Sequence, residues 1–425
     1  MSNLILNLIN AICAAAALIN IYMSWYLFGA SKNADQWMLA LTIIQSISLI
    51  SQAGVEQYPV YYARYKALGS SLLCEFQANA MGFALICGLF FGGGVYIISN
   101  EIILIYSAGS DLNQDDELTR LLRVFVSQIF VMPILFVIKQ ILLIDGRRIW
   151  AILINSMSHF VILASLITGW LFDARSPLDC GYFASIYNLI GFLLIFFLVN
   201  PERKFKLLIE WSVIKEFAIS SCKMRGIHSI HNFLLSIVIS SYLSHGVNGT
   251  IATYQYLKKI ADGLCSITMG PHAAVYHAEQ ASSFAAMNRN RLVSNIYVYI
   301  YSAVPMFLFG LSLAFLAYFT FSYYDVNVNV NLKIGSEVSS SLLILLLWQF
   351  IVAIETVPVG LLIVANSAPS ILKINTIFIM QIFILTYFTA NFQVFELAVI
   401  GCYCQAISLL MYSYTANAKL KKLYD

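Results

Sequence analysis

The chain has 425 residues, of which 60% are hydrophobic and only 11% charged, and its formal net charge is +3. A soluble domain has about 25% charged residues, so this composition excludes an ordinary soluble enzyme, a disulfide-rich secreted scaffold and a disordered chain. It indicates a polytopic membrane protein, and the small net charge gives no indication of nucleic-acid binding.

Long apolar runs bounded by charged and turn residues predict twelve membrane-spanning helices. The predicted spans are 4–28, 34–60, 76–99, 121–144, 149–172, 181–200, 217–244, 250–275, 292–321, 340–365, 370–390 and 395–416. The runs are about 20 residues long, whereas the strands of an outer-membrane barrel alternate over about 10 residues. The first run lacks a basic leader region, so we expect a span there rather than a signal peptide. We therefore predict an all-α fold.

The predicted spans form two halves of six helices each. A basic segment, 201–216, separates an N-terminal half, 1–200, from a C-terminal half, 217–425. A weak internal repeat supports this division, because a shift of 217 residues places 29–40 over 246–257. Paired six-helix repeats are typical of secondary transporters, which bind their substrate between the repeats. The pattern predicts a central cavity.

The distribution of lysine and arginine predicts the orientation. The C-terminus and the loops after even-numbered spans, counted with the span ends beside them, hold 14 basic residues, and the loops after odd-numbered spans, counted in the same way, hold 5. Cytoplasmic loops carry the basic excess, so both termini are expected in the cytoplasm. The expected location is the bacterial inner membrane.

Three segments resemble a known superfamily. The run FGASKNADQWMLA, Phe28 to Ala40, is similar to the F-G-A-x-x-x-A-D-x-[aromatic] signature of the multidrug/oligosaccharidyl-lipid/polysaccharide (MOP) flippases. The run GTI at 249–251, followed by YQYLKKI at 254–260, resembles their G-S-[VI]-…-Y-Y-A-x-R-L segment. The run IDGRR at 144–148, with Asn155, is similar to their G-[RK]…N pattern. All three occur in the order found in the superfamily.

Two branches of this superfamily move undecaprenyl-pyrophosphate-linked sugars: the lipid II flippases and the Wzx-type O-antigen flippases. The chain has Asn20-Ile21 where the lipid II branch carries an Arg-Asp pair, and 48–52 lacks that branch's arginine. The sequence predicts twelve spans, whereas that branch usually has two more at its C-terminal end. The resemblance therefore favours the Wzx type.

Basic residues inside the predicted spans are candidate substrate contacts. Away from the span ends, they are Lys139, Lys223, Arg225, Lys258 and Lys259. A charged residue at the bilayer centre costs about 2.5–3.5 kcal/mol and usually faces a polar cavity. Lys259 matches the basic position of the family segment. Asp262 is three residues from Lys259 and four from Lys258, so it is placed to neutralise one of them. Snorkelling to the headgroups is the alternative for Lys139 and Lys223.

Acidic residues inside the spans are candidates for binding a coupling ion. Glu56 lies beside Pro59, and Glu355 lies three residues before Pro358. Proline opens a transmembrane helix locally, and a carboxylate there can bind a proton or Na⁺. A polar tie to a basic residue is the alternative. Asp262 is the third candidate.

A multiply charged pyrophosphate headgroup needs a hydrated cationic cavity to cross the membrane. We therefore expect a flippase that moves a lipid-linked oligosaccharide from the inner to the outer leaflet by alternating access. The expected partners are that lipid, the phospholipid bilayer, a coupling ion (H⁺ or Na⁺) and the polysaccharide polymerase machinery. No catalytic residue, metal or cofactor is expected.

Other functions stay open as alternatives. They are a lipid II flippase, and a cation-coupled drug or small-molecule antiporter of the same superfamily. A membrane glycosyltransferase would need a large external loop or a clustered acid pair, and neither is found in the sequence. The loop after span 2 lacks the signature of major-facilitator sugar transporters.

Overall fold

The computed structural model describes residues 3–107, 116–144, 146–199, 208–222, 227–265, 290–301, 336–364, 367–389 and 392–424, with isolated positions between 276 and 312. Its helices are α1 (Asn3–Phe28), α2 (Lys32–Ala53), α3 (Tyr58–Leu68), α4 (Ser70–Ile97), α5 (Ser99–Tyr106), α6 (Asp116–Ile144), α7 (Arg148–Asn155), α8 (Met157–Leu171), α9 (Pro177–Val199), α10 (Trp211–Ser221), α11 (Ile227–Ser244), α12 (250–265), α13 (290–301), α14 (Ser336–Val364), α15 (Ala368–Phe388) and α16 (Val394–Tyr424). Each predicted span overlaps a described helix, which confirms the all-α prediction.

Several of these helices are long and apolar enough to cross a bilayer. Within the described residues seven helical segments meet this requirement, and the bent pair α7 and α8 makes an eighth. Shorter apolar helices lie at Ala15–Phe28 and Ser229–Ser244. The chain is a multi-pass membrane protein. Its orientation stays a prediction.

Two predicted spans are interrupted. Span 2, predicted at 34–60, covers α2 and the beginning of α3, which are separated by a turn over residues 54–57. Helix α3 continues to Leu68, beyond the predicted end of the span. Pro59 lies in the first turn of α3. Backbone N–H groups in a first turn have no partner within the helix, so proline fits there without the loss of a helical hydrogen bond. Span 5 bends by 54° between α7 and α8. An additional short helix, α5, follows span 3.

Contacts divide the chain into two compact units, Met1–Ala252 and Thr253–Asp425. In the first unit, α6 packs against α2, α4 and α9. Trp37 of α2 is fully buried, with its ring 5.5 Å from that of Phe28 and 5.3 Å from that of Phe125. Gly88 permits a close approach of α4 to α6, because a Cβ there would lie 2.3 Å from the Phe130 carbonyl oxygen. Small residues allow such packing in membranes, where lipid removes the hydrophobic driving force between helices.

Hydrogen bonds attach α11 to the first unit. The Ser236 hydroxyl of α11 lies 3.0 Å from that of Ser46 in α2 and 2.8 Å from that of Tyr106 in α5. The predicted linker lies partly outside the described residues, which resume at 208. There the Glu210 N–H donates to Asn79 Oδ1 of α4 at 2.5 Å. The described end of the linker therefore lies against α4. The predicted halves, 1–200 and 217–425, stay a prediction about the transmembrane topology.

The second unit is organised around α16, which packs against α14 and α15. A buried apolar cluster comprises Leu292, Leu361, Leu362, Ile374, Tyr412 and Ala416. Gly401 makes close packing of α16 on α14 feasible, since a Cβ there would lie 2.2 Å from the Trp348 ring. This contact places one face of α16 beside the middle of α14.

Candidate functional sites

Helix α12 carries the three ionisable side chains that the sequence singled out in span 8. Lys258 and Lys259 are both half-buried, and both interact electrostatically with Asp262. Lys258 also interacts with Tyr254, which is almost completely buried. Asp262 thus interacts with both lysines, and its neutralisation of one of them stays a prediction. Two lysines and one carboxylate give this segment an excess of one positive charge.

The start of α12 is fixed by a buried carboxylate from α2. Asp35 is 4% exposed, and its two oxygens accept hydrogen bonds from the backbone N–H groups of Gly249 at 2.6 Å and Ala252 at 2.8 Å. Gly249 has φ = +94°, which favours glycine. The first N–H groups of a helix have no partner within the helix, and the helix dipole favours a negative charge there. Asp35 therefore caps the lysine-bearing helix.

Asp35 is itself held in place by the turn before α2. The Ser31 side chain accepts from the Ala34 N–H at 3.4 Å and donates to the Phe28 carbonyl at 2.7 Å. These bonds fix the first turn of α2, which carries Asp35. The family-like segment 28–40 thus contacts the beginning of another such segment, at 249–252. Sequence reasoning treated Asp35 only as part of a motif and missed this role.

The repeat offset was the signal that could have found this contact. Asp35 and Ala252 are 217 residues apart, which is the offset of the internal repeat. The two helix starts that the repeat equates are therefore joined by a hydrogen bond.

Lys139 lies among polar groups of the first unit. Its ammonium donates to Asn155 Oδ1 at 3.0 Å, lies 5.2 Å from the centre of the Phe136 ring and interacts electrostatically with Glu56. Glu56 lies in the turn between α2 and α3, and Asn155 ends α7 just before its bend. The structure thus brings together two sequence-predicted site residues and Asn155 of the third family-like segment. Each interrupted span contributes one polar group to this cluster.

Glu355 of α14 is held by side chains of α16. Its carboxylate accepts hydrogen bonds from the Gln405 amide and, at 3.3 Å, from the Ser408 hydroxyl. Trp348 Nε1 donates to Gln405 Oε1 at 3.1 Å, so the NH₂ group of Gln405 is directed to Glu355. Tyr412 interacts electrostatically with the same carboxylate. Sequence reasoning found Glu355 and missed its partners, which lie 50 or more residues away in the chain.

The remaining predicted contacts, Lys223 and Arg225, lie outside the described residues. The predicted site residues fall in different units: Glu56 and Lys139 in the first, and Lys258, Lys259, Asp262 and Glu355 in the second. Among the described residues, no group of three or more His, Cys, Asp or Glu side chains could hold a metal ion.

Comparison with known proteins places this architecture. The chain is similar to the lipid II flippase MurJ in its inward closed conformation, with a TM-score of 0.76 and 16% identity over 99% of this chain and 90% of that one. It is also similar to an inward-facing multidrug-resistance MATE transporter of the MOP superfamily. The TM-score is 0.73 and the identity 14%, over 95% of this chain and 96% of that one. The chain has the fold of the MOP-superfamily transporters. For the MATE multidrug transporter DinF-BH, the TM-score is 0.62 and the identity 15%, over 93% of this chain and 91% of that one.

No family model and no curated protein matches the chain. At identities of 14–16%, these structural similarities establish the fold and nothing beyond it. The structural relatives are flippases and transporters, so the fold agrees with the membrane transport expected from the sequence. Substrate and coupling depend on the side chains of this chain.

Proposed function

We propose that the protein is a MOP-superfamily flippase of the Wzx type. It moves an undecaprenyl-pyrophosphate-linked oligosaccharide, such as an O-antigen repeat unit, from the inner to the outer leaflet of the bacterial inner membrane. The observation that carries the proposal is the excess of positive charge on α12, within the fold of known flippases. A pyrophosphate bears several negative charges, and a lysine offers it a strong point charge where water is scarce.

In this mechanism the two six-helix halves rock about a central cavity, while the lipid tail stays in the bilayer. Lys259 and Arg225 bind the pyrophosphate, Lys258 shares the charge of Asp262, and Lys223 and Lys139 extend the positive surface. Asp35 acts as a positioning residue, because its hydrogen bonds fix where the lysine-bearing helix begins. The sugars remain in the hydrated cavity.

Coupling to H⁺ or Na⁺ is assigned to Glu355, with Glu56 and Asp262 as further candidates. Two donors, Gln405 and Ser408, stabilise the anionic form of Glu355. A bound cation would compete with these donors for the same carboxylate oxygens. Cation binding would therefore loosen the contact between α14 and α16, which links ion binding to helix motion.

The decisive experiment measures surface polysaccharide in a Wzx-null strain that carries the cognate O-antigen genes. Lys259→Ala should reduce display at least tenfold, because a charged hydrogen bond contributes about 1.5–3 kcal/mol. Lys259→Arg should retain most display, since the charge is kept. Lys419→Ala is the matched control, because Lys419 is an exposed lysine of α16. Full display from Lys259→Ala at normal protein level would contradict the cationic-site proposal.

Two related functions are separated by complementation. Rescue of a strain depleted of its lipid II flippase would instead assign a peptidoglycan precursor as the substrate. Increased resistance to cationic drugs, without polysaccharide display, would assign a cation-coupled antiporter. The Glu355 network is the observation that supports the antiporter as a second candidate, since ion coupling needs a membrane carboxylate; the network serves the flippase proposal equally.

A further inference from the structure

A polar cavity lies at the end of the first unit where α1 and α8 terminate. It has a volume of about 550 Å³ and is lined by Tyr26, Leu27, Trp170, Leu171, Asp173 and Arg175. The predicted orientation places this end at the periplasmic side. None of these residues contributes to the transport site proposed above.

The cavity is built on a rigid turn. The Ala174 N–H bonds to the Gly169 carbonyl at 2.8 Å and the Asp173 N–H to the Trp170 carbonyl at 3.3 Å, which is the Schellman pattern that ends a helix. Asp173 occupies the left-handed position of this motif, with φ = +52°, where glycine is usual. After the turn, the Ser176 hydroxyl accepts from the Leu178 N–H and donates to Glu117. The carboxylate of Asp173 thus lies at a position where the left-handed backbone conformation favours glycine.

Charge and aromatic surface are combined at this cavity. Arg175 Nε lies 2.8 Å from Asp173 Oδ1, and the two side chains remain 76% and 78% exposed. An exposed ion pair contributes little and exchanges partners readily. Tyr26 and Trp170 are 60% and 53% exposed beside it, so their rings are accessible to a ligand cation.

Apolar surface continues directly from the cavity. Leu171 is 66% exposed and Phe172 is 74% exposed. In a membrane-spanning chain, side chains of this kind at a helix end contact lipid, while tyrosine and tryptophan occupy the headgroup level. Exposed apolar side chains that suit contact with acyl chains therefore adjoin the cavity.

We propose that this cavity binds the headgroup of a phospholipid with an ethanolamine ammonium, that is, phosphatidylethanolamine. Arg175 pairs with its phosphodiester. Asp173 accepts from its ammonium, which lies against Trp170 or Tyr26. The neutral Asp–Arg pair matches a zwitterionic headgroup, whereas an anionic headgroup without an ammonium would bring no cationic group to Asp173. This proposal does not depend on the transported substrate.

The test is native mass spectrometry of the full-length, delipidated protein in detergent. It is titrated separately with phosphatidylethanolamine and phosphatidylglycerol of identical acyl chains. We expect the wild type to bind phosphatidylethanolamine about tenfold more tightly, since the ammonium adds a charged hydrogen bond. Asp173→Asn should remove this preference, and Arg175→Gln should weaken binding of both lipids. Glu216→Gln is the control, because it disrupts another exposed ion pair, with Arg64.

Asp173→Gly provides a second variant that keeps the turn, since glycine suits the left-handed conformation. Equal affinity of the wild type for the two lipids would overturn the proposal. So would an unchanged preference in Asp173→Asn or Asp173→Gly. Displacement of the bound lipid by a free neutral saccharide such as N-acetylglucosamine would assign the aromatic cavity to sugar instead.

Discussion

The hydrogen bonds of Asp35 give a sharp quantitative prediction. Substituting Asp35 with alanine removes both acceptors of the Gly249 and Ala252 N–H groups, at 2.6 and 2.8 Å. Each buried donor left without a partner costs about 1–3 kcal/mol. The loss of a negative charge at the start of α12 contributes a further cost of at most about 2 kcal/mol. Relief from burying a carboxylate offsets part of this sum, so we expect a local destabilisation of about 2–4 kcal/mol.

Asp35→Asn should have a smaller effect. The asparagine side chain keeps one acceptor oxygen and places an NH₂ group near the other backbone donor. One hydrogen bond is retained without its charge, and we expect a cost of about 1–3 kcal/mol.

Hydrogen exchange measured by mass spectrometry on peptides covering 245–256 checks both variants. A local loss of about 2 kcal/mol corresponds to about 30-fold faster exchange, and Asp35→Ala should reach at least this value. Asp179→Ala is the matched control, because Asp179 is an exposed aspartate in the first turn of α9. Unchanged exchange in this peptide with Asp35→Ala would refute the capping argument.

Three further substitutions test the packing and the coupling site. Gly249→Ala should lower the thermal unfolding temperature more than Gly29→Ala does. Both glycines have positive φ, but only at Gly249 would a Cβ meet backbone, 2.7 Å from the Ala30 carbonyl carbon. Equal shifts of the unfolding temperature would contradict this. Gly401→Ala should destabilise the protein by about 1–3 kcal/mol, measured by chemical unfolding in detergent, since the Trp348 ring must move. Glu355→Gln should abolish the dependence of polysaccharide display on the H⁺ or Na⁺ gradient, and retained dependence would move the coupling site to Glu56 or Asp262.

The sequence by itself determined the fold class, and each of its predicted spans overlaps a described helix. Apolar runs of this length have one stable form in lipid, because every backbone polar group must be bonded within its own segment. Charges inside such runs are conspicuous against an apolar background, so Lys139, Lys259 and Glu355 could be proposed as candidate site residues without a structure. The sequence did not predict the interruption of span 2, because the turn at 54–57 does not break the apolar pattern.

Only the tertiary structure decided which polar groups meet. Asp35 caps a helix that begins more than 200 residues later, and Gln405 is directed to Glu355 by Trp348. Hydropathy is a local property, whereas these bonds depend on how distant helices approach each other. The approach is set by close packing, such as that of Gly401 on Trp348, which periodicity does not encode. The partners of a buried charge therefore follow from the folded chain and not from its pattern.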